Sequence, residues 1–96
     1  MNEINIQSLR SILLNNGVEF AGIFGSRARG DNKPDSDLDV LVRFKKDDIS
    51  LLGFIHLENI LSDKLGVKVD LVTEEALSPY IRDSIIRNLQ VILNPN

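Results

Sequence analysis

The sequence predicts an α/β (α+β) domain in which a small mixed β-sheet of three to four strands is flanked by about four helices. Segments with helical spacing of apolar residues alternate with short apolar segments rich in β-formers, which is typical of a sheet covered by helices. Only twelve residues, 25–36, separate the first two apolar segments. Because that is short for a complete parallel crossover, we expect this pair to be antiparallel and the sheet to be mixed.

Length and composition limit the class of protein. The 96 residues, 43% hydrophobic and 26% charged, suit one folded domain over residues 1–96 and argue against disorder. The absence of cysteine excludes a disulfide framework and a thiolate metal site. No apolar run approaches the roughly 20 residues of a membrane span, and residues 1–4 do not resemble a signal peptide, so we expect a cytoplasmic protein with no membrane contact. A net charge of −3 makes extended nucleic-acid binding unexpected, since that needs a basic surface.

Four segments are predicted to be helical from the spacing of their apolar residues and from the residues at their ends. They are Ile6–Asn15, a short helix from Ser26, Ile49–Leu65 and a helix from Pro79. The predicted N-caps are Asn5, Asp48 and Ser78, and the predicted stop signals are Asn16-Gly17 and Gly66. The expected apolar positions are Leu52, Ile55, Leu61 and Leu65 in the long helix and Ile81, Ile85 and Leu89 in the last.

Four short segments are predicted to be strands because they are apolar and bounded by turn residues. They are Val18–Phe24, Asp37–Phe44, Val67–Val72 and an edge strand at Val91–Leu93. Side chains alternate across a strand, so Leu38 and Val40 are expected to point into the core. Asp37 and Asp39 then share the opposite face.

Asp37 and Asp39 are the first candidates for chemistry. Residues two apart on a strand have Cβ atoms roughly 6–7 Å apart on one face, so the two carboxylates can reach a common site. Two like charges held that close are costly unless a cation joins them. Mg²⁺ takes oxygen ligands, and carboxylates that bridge metals can clamp an in-line phosphoryl displacement. We therefore predict that this pair binds divalent metal.

Asp70 is the second candidate, because it interrupts an apolar strand between Val69 and Leu71. A charged residue in that position is costly if it is buried without a partner. If its strand lies beside the strand of Asp37 and Asp39, the three carboxylates form a triad. The third carboxylate would then hold one metal and accept a proton from an attacking hydroxyl.

The Gly25-Ser26 turn follows the first strand and precedes a short helix. Backbone amides in such a turn suit a phosphate, glycine permits close approach, and the serine hydroxyl adds a donor. Arg27 and Arg29 are predicted to neutralise phosphate charge, since guanidinium groups suit oxyanions. The sequence does not determine which of the two arginines points inward.

Two better-known loop motifs are excluded by the residues at their required positions. The alternating aspartates resemble the start of an EF-hand loop, but Val40 and Lys46 stand where glycine and glutamate are needed. The glycine spacing from Gly25 resembles a P-loop, but Asp31-Asn32 replaces the required Lys-Ser/Thr.

The only histidine and the only tyrosine are predicted to lie outside the reaction. His56 falls within the long helix and is expected to be a packing or surface residue. Tyr80 falls in the first turn of the last helix and is expected to be a partly buried anchor.

Residues 25–39, GSRARGDNKPDSDLD, resemble the signature of the minimal nucleotidyltransferases of the DNA polymerase β superfamily. That signature is Gly-Ser, ten residues and Asp-x-Asp, and here ten residues separate Gly25-Ser26 from Asp37-Leu38-Asp39. The segments Gly-Ser-Arg-Ala-Arg-Gly and Ser-Asp-Leu-Asp are similar to those of the antitoxins of HEPN/MNT toxin–antitoxin systems. The resemblance implies a polymerase-β-like fold, two Mg²⁺ ions bound by Asp37 and Asp39 with Asp70 joining one of them, and Gly25 and Ser26 on the triphosphate of ATP.

The same resemblance implies an activity and a partner. The implied activity is that of a protein adenylyltransferase, which transfers AMP from ATP to a tyrosine hydroxyl. The implied partner is a HEPN toxin, which this transfer silences. Two alternatives remain open: nucleotidyl transfer to a small hydroxylated molecule such as an aminoglycoside, and a module that binds the toxin without catalysis. A 96-residue chain has little room for a second acceptor-binding domain, so we expect a partner or another subunit to supply the acceptor. Both a homodimer and a hetero-oligomer remain open.

Overall fold

The computed structural model describes residues 4–46 and 49–95. The helices are α1 (Ile6–Asn15), α2 (Ser26–Arg29), α3 (Leu51–Leu65) and α4 (Pro79–Arg87). The strands are β1 (Val18–Phe24), β2 (Leu38–Phe44), β3 (Val69–Thr73) and β4 (Gln90–Leu93). A 3₁₀ turn, Glu74–Ala76, lies between β3 and α4. No helix within the described ranges is long and apolar enough to cross a bilayer.

The four strands form one mixed sheet in the order β3-β2-β1-β4. β1 is antiparallel to both β2 and β4, whereas β2 and β3 are parallel. The predicted α/β fold with a mixed sheet, including the antiparallel first pair, is confirmed. This topology brings the end of β1 and the starts of β2 and β3 to the same end of the sheet.

The core lies between one face of the sheet and the helices α1 and α3. Its buried side chains are Leu9, Leu13, Val18, Ala21, Ile23, Leu38, Val40, Val42, Leu57, Leu61, Val69, Leu71 and Leu93. Burying one such leucine or valine contributes roughly 1.5–3 kcal/mol to stability. The core therefore fixes β2 and β3 through their alternate residues and turns the intervening residues to the other side.

The second face of the sheet carries Asp39, Leu41 and Asp70. The chain passes from β3 at one edge, through α4, to β4 at the opposite edge. On this face the Leu89 side chain lies so close to Gly22 that a Cβ there would come within 2.6 Å of it. α4 has no buried residue, and Ile81, predicted on its apolar stripe, is half exposed. The helix therefore buries little apolar surface, and Leu89, predicted on the same stripe, lies beyond its end at Arg87.

Two strands start later than the sequence predicts. β2 begins at Leu38, which leaves Asp37 just before the strand, because the Ser36 carbonyl accepts hydrogen bonds from Arg27. The ladder with β3 starts where the Leu38 amide donates to the Lys68 carbonyl, 2.8 Å away. β3 begins at Val69 because the residues that follow the left-handed Gly66 are used to turn the chain away from α3.

The first helix is as predicted, but the start of the long helix is not. Asn5 caps α1 by accepting from the Ser8 amide. Ser50, rather than Asp48, caps α3 by accepting from the Gly53 amide at 3.0 Å, so the helix begins at Leu51. Asp48 lies outside the described residues. Leu52, predicted to be on the apolar face, is 80% exposed, since the helix turns Leu57 and Leu61 into the core instead.

Candidate active site

Asp39 and Asp70 are neighbours on the second face. They are Cα partners in the parallel ladder between β2 and β3, and adjacent strands lie roughly 4.7–4.9 Å apart. Val69 and Leu71 are buried on the core side, so alternation puts Asp70 on the same face as Asp39. The strand order supplies the adjacency that the sequence left open.

Asp37 precedes β2 by one residue and lies near the same end of the sheet. The Lys68 ammonium is 3.9 Å from Asp37 Oδ2 and 3.9 Å from Asp70 Oδ1. One cation therefore stands between two of the three carboxylates. Its side chain is largely exposed, so these ion pairs are weak and easily exchanged for another cation.

Asp39 is the electrostatic centre of the group. Its pKa is raised above the ordinary value, first by burial, then by the negative charge of Asp70 and then by that of Asp37. The positive charge of Arg29 acts in the opposite direction and lowers the pKa. A carboxylate crowded by two others and partly removed from water gains stability from a bound cation.

Gly25 lies directly against Asp39. It has φ +77°, which L side chains rarely adopt, and a Cβ at this position would collide with Asp39 Oδ2. The sequence thus needs glycine here both for the turn and for the approach of the backbone to the carboxylate. Ser26 follows at the start of α2, where the first helical amides have no acceptor inside the helix.

The two arginines of α2 have different surroundings. The Arg29 Nε is 3.2 Å from Asp31 Oδ2, and its charge acts on Asp39. The Arg27 guanidinium donates to the Ser36 carbonyl at 2.7 Å and to the Pro34 carbonyl at 3.4 Å. Arg27 thereby holds the loop that leads into β2, so Arg29 is the better placed of the two for phosphate. The role of each in nucleotide binding stays a prediction.

The residues predicted to lie outside the reaction are exposed. His56 lies on the exposed side of α3, in keeping with a surface role. Tyr80 is 95% exposed, so the prediction of a partly buried anchor is wrong. The error arose because α4 packs too little against the sheet to bury its first turn.

The carboxylates fit Mg²⁺ without forming a complete protein cage. Within residues 4–46 and 49–95, no three acidic, histidine or cysteine side chains come together closely enough to be a metal-binding cluster by themselves. Mg²⁺ usually takes only one or two protein carboxylates and completes its shell with water and substrate phosphates. Oxygen ligands on one face, beside a glycine turn, are the donors that such a metal–nucleotide complex needs.

A model of the nucleotidyltransferase domain family matches residues 6–92. The chain belongs to this family. It is therefore a nucleotidyltransferase, and the resemblance to the minimal nucleotidyltransferases drawn from residues 25–39 is confirmed.

Two relatives connect this nucleotidyltransferase to protein adenylyltransferases. The protein adenylyltransferase MntA of Thermococcus cleftensis is 45% identical over 73 residues, which are 76% of this chain and 73% of that protein. A candidate protein adenylyltransferase of Methanocaldococcus jannaschii is 39% identical over 93 residues, 97% of this chain and 98% of that one. The second match extends over nearly the whole of both chains.

Solved structures show the same fold in this nucleotidyltransferase and in toxin–antitoxin complexes. A toxin–antitoxin complex with AMP-PNP contains a chain with a TM-score of 0.83 and 22% identity, matched over 95% of this chain and 74% of that chain. A tri-AMPylated Shewanella oneidensis HEPN toxin in complex with its MNT antitoxin gives a TM-score of 0.74 at 20% identity, over 98% and 73% of the two chains. At these identities the likeness establishes the fold.

Proposed function

We propose that the protein is a Mg²⁺-dependent protein adenylyltransferase that acts as an antitoxin. It transfers AMP from ATP to a tyrosine hydroxyl of a HEPN-family toxin in the cytoplasm. The observation that carries the proposal is the pairing of Asp39 with Asp70 beside Gly25, at one end of the sheet, in a nucleotidyltransferase 45% identical to MntA.

In this proposal, Asp37 and Asp39 would hold the metal, expected as two ions with ATP, and Asp70 would contribute a ligand to one of them. Bound Mg²⁺ supplies charge neutralisation and orientation of the phosphates. Burial and the negative charges of Asp70 and Asp37 raise the pKa of Asp39. This supports the assignment, because a bound cation would stabilise the crowded carboxylate.

The phosphates lie against the turn at Gly25 and Ser26. Gly25 lets the backbone come close to them, and Ser26 offers its amide and hydroxyl as donors. Arg29 neutralises phosphate charge from α2, where its charge already acts on Asp39. Arg27 stays in the predicted nucleotide-binding set through its hold on the loop before β2.

The transfer is a single in-line displacement at the α-phosphorus. The acceptor hydroxyl oxygen bonds to the α-phosphorus, the bond from that phosphorus to the bridging oxygen breaks, and pyrophosphate leaves. Asp70 accepts the hydroxyl proton. The chain acts mainly by positioning the reactants and by stabilising charge.

The choice of a protein acceptor rests on the relatives. The T. cleftensis relative is a protein adenylyltransferase by name, and the S. oneidensis complex contains an AMPylated HEPN toxin. These two names support a toxin side chain as the acceptor for this chain.

Intact-mass spectrometry of the product of the adjacent gene, which we expect to be the toxin, tests the proposal. Incubation with ATP and MgCl₂ is expected to add one or more AMP units, located on tyrosine by peptide mapping. EDTA, or Asp37→Asn combined with Asp39→Asn, should abolish the gain. An unmodified toxin that is nevertheless neutralised, also by the double variant, would show a binding module instead of an enzyme.

A further inference from the structure

β3 is an edge strand, and Asp70 lies in its first half. Its pairing with β2 uses the backbone groups that point inward, as in the 2.8 Å bond from the Leu38 amide to the Lys68 carbonyl. Backbone groups alternate in direction along a strand, so the amides of Val69 and Leu71 point away from β2. An edge strand with unsatisfied amides is free to fray or to pair with another chain.

Two side chains of α3 satisfy these outward amides. The Val69 amide donates to Ser62 Oγ at 2.9 Å, and the Leu71 amide donates to Glu58 Oε2 at 2.8 Å. Ser62 Oγ also donates to the Glu58 carbonyl at 2.9 Å, which fixes the serine rotamer. Glu58 and Ser62 are four residues apart and therefore lie on the same face of α3.

These two hydrogen bonds bracket Asp70, one on each side of it in the chain. Asp70 and Asp39 carry like charges in register, so β3 would relieve their repulsion if its free edge moved outward. The bonds from α3 oppose that movement, since they join the backbone on both sides of Asp70 to a helix packed into the core.

We infer that Glu58 and Ser62 are positioning residues for nucleotidyl transfer, which hold β3 so that the Asp70 carboxylate stays beside Asp39. The inference rests on the proposed function insofar as Asp70 acts in the reaction. Neither side chain touches substrate in this assignment. Both act through the backbone of β3.

The test compares Glu58→Ala with Glu58→Gln, because the glutamine amide oxygen can still accept from the Leu71 amide. For Glu58→Ala we expect kcat to fall about 10- to 100-fold with little change in the KM for ATP, as for a small misplacement of a reacting group. Glu58→Gln is expected to recover most of kcat. Ser62→Ala should act in the same direction as Glu58→Ala.

Ser50→Ala is the matched control for lost helix stability. It removes the N-cap hydrogen bond of the same helix, from the Gly53 amide to Ser50 Oγ, and leaves both hydrogen bonds from α3 to the β3 amides in place. At a temperature where all variants are folded, it is expected to retain wild-type kcat. If kcat falls as much for Ser50→Ala as for Glu58→Ala, lost helix stability accounts for the effect and the inference is overturned.

Mn²⁺ binding gives a readout that does not depend on transfer. Loss of a group that orients metal ligands typically weakens metal binding about 10- to 100-fold. We therefore expect weaker Mn²⁺ binding in Glu58→Ala, and recovery in Glu58→Gln, by electron paramagnetic resonance titration. Unchanged Mn²⁺ affinity in Glu58→Ala, or failure of glutamine to restore it, would overturn the inference. If the wild type and the two Glu58 variants bind Mn²⁺ as expected but the wild type modifies no toxin, only the proposed function is refuted.

Discussion

Asp39 and Asp70 are Cα partners on parallel strands, and the negative charge of Asp70 helps to raise the pKa of Asp39. A fold with no use for this pair would gain stability by replacing one of the two carboxylates. The arrangement is therefore a local cost of the metal-free protein, and bound cation is expected to offset it.

Asp39→Asn should separate stability from activity. The substitution removes the crowded charge but keeps the shape of the side chain, so the melting temperature of the metal-free protein should rise. Transfer should fall at least ~100-fold, since a proposed metal ligand is lost. Thermal unfolding in EDTA and in MgCl₂ with ATP checks the stability, and the gain in mass of the toxin checks the transfer. A variant that transfers AMP normally, or that gains as much stability from MgCl₂ as the wild type, would refute Asp39 as a ligand.

The stability difference between the wild type and Asp39→Asn should depend on pH. The folded-state pKa of Asp39 lies above its ordinary value of 3.8. Below pH 3.8 Asp39 is protonated in both the folded and the unfolded state, so the free energies of unfolding of the wild type and Asp39→Asn should differ least. As pH rises through the raised pKa of folded Asp39, the wild type loses stability relative to the variant. Urea unfolding in EDTA across this range measures the difference. A gap that is constant with pH would contradict the charge-based cause.

Gly25→Ala should abolish transfer because its Cβ would collide with Asp39 Oδ2. Gly30→Ala is the control for a positive φ: Gly30 has φ +83° and ψ 9°, in the left-handed helical region, and nothing lies within 4 Å of its added Cβ. Alanine at Gly30 is expected to cost about 1–2 kcal/mol in backbone strain. Alanine at Gly25, whose ψ of −154° belongs to a region that essentially only glycine adopts, is expected to cost about 1–3 kcal/mol. Only Gly25→Ala should reduce activity, by about 100-fold or more. If Gly25→Ala and Gly30→Ala lose the same activity at the same free energy of unfolding, backbone strain alone accounts for the loss.

Lys68→Met should strengthen metal binding in the absence of nucleotide. Its ammonium stands 3.9 Å from Asp37 and from Asp70, where it competes with an incoming cation. Because exposed ion pairs contribute roughly 0–1 kcal/mol, Mn²⁺ affinity should rise by no more than about fivefold. Lys64→Met, at an exposed lysine of α3, provides the control. Equal affinities in Lys68→Met and the wild type would show that Lys68 does not compete.

Local signals predicted most of the fold. Asn5 at the start of α1 and Asn16-Gly17 at its end gave its bounds, and Ser78-Pro79 gave the start of α4. The start of α3 was misplaced because Asp48 and Ser50 are both good caps, and the choice between them depends on packing against the sheet.

The site was predictable to the extent that it depends on strand alternation. The spacing of Asp37 and Asp39 predicted a common site, and the structure puts both near one end of the sheet, with Asp37 just before β2. That Asp70 lies beside Asp39 follows only from the strand order. The contacts of Lys68 with carboxylates and of Glu58 with a β3 amide leave no pattern along the chain, because they join elements that are adjacent only in the folded protein.

Anomalous diffraction from a crystal grown with Mn²⁺ and a non-hydrolysable ATP analogue would locate the metal relative to the three aspartates. We expect Mn²⁺ coordinated by Asp37 and Asp39, with Asp70 on one of the ions and the triphosphate against Gly25 and Ser26. Mn²⁺ or triphosphate bound at full occupancy elsewhere, with these carboxylates still paired only with Lys68, would contradict this expectation.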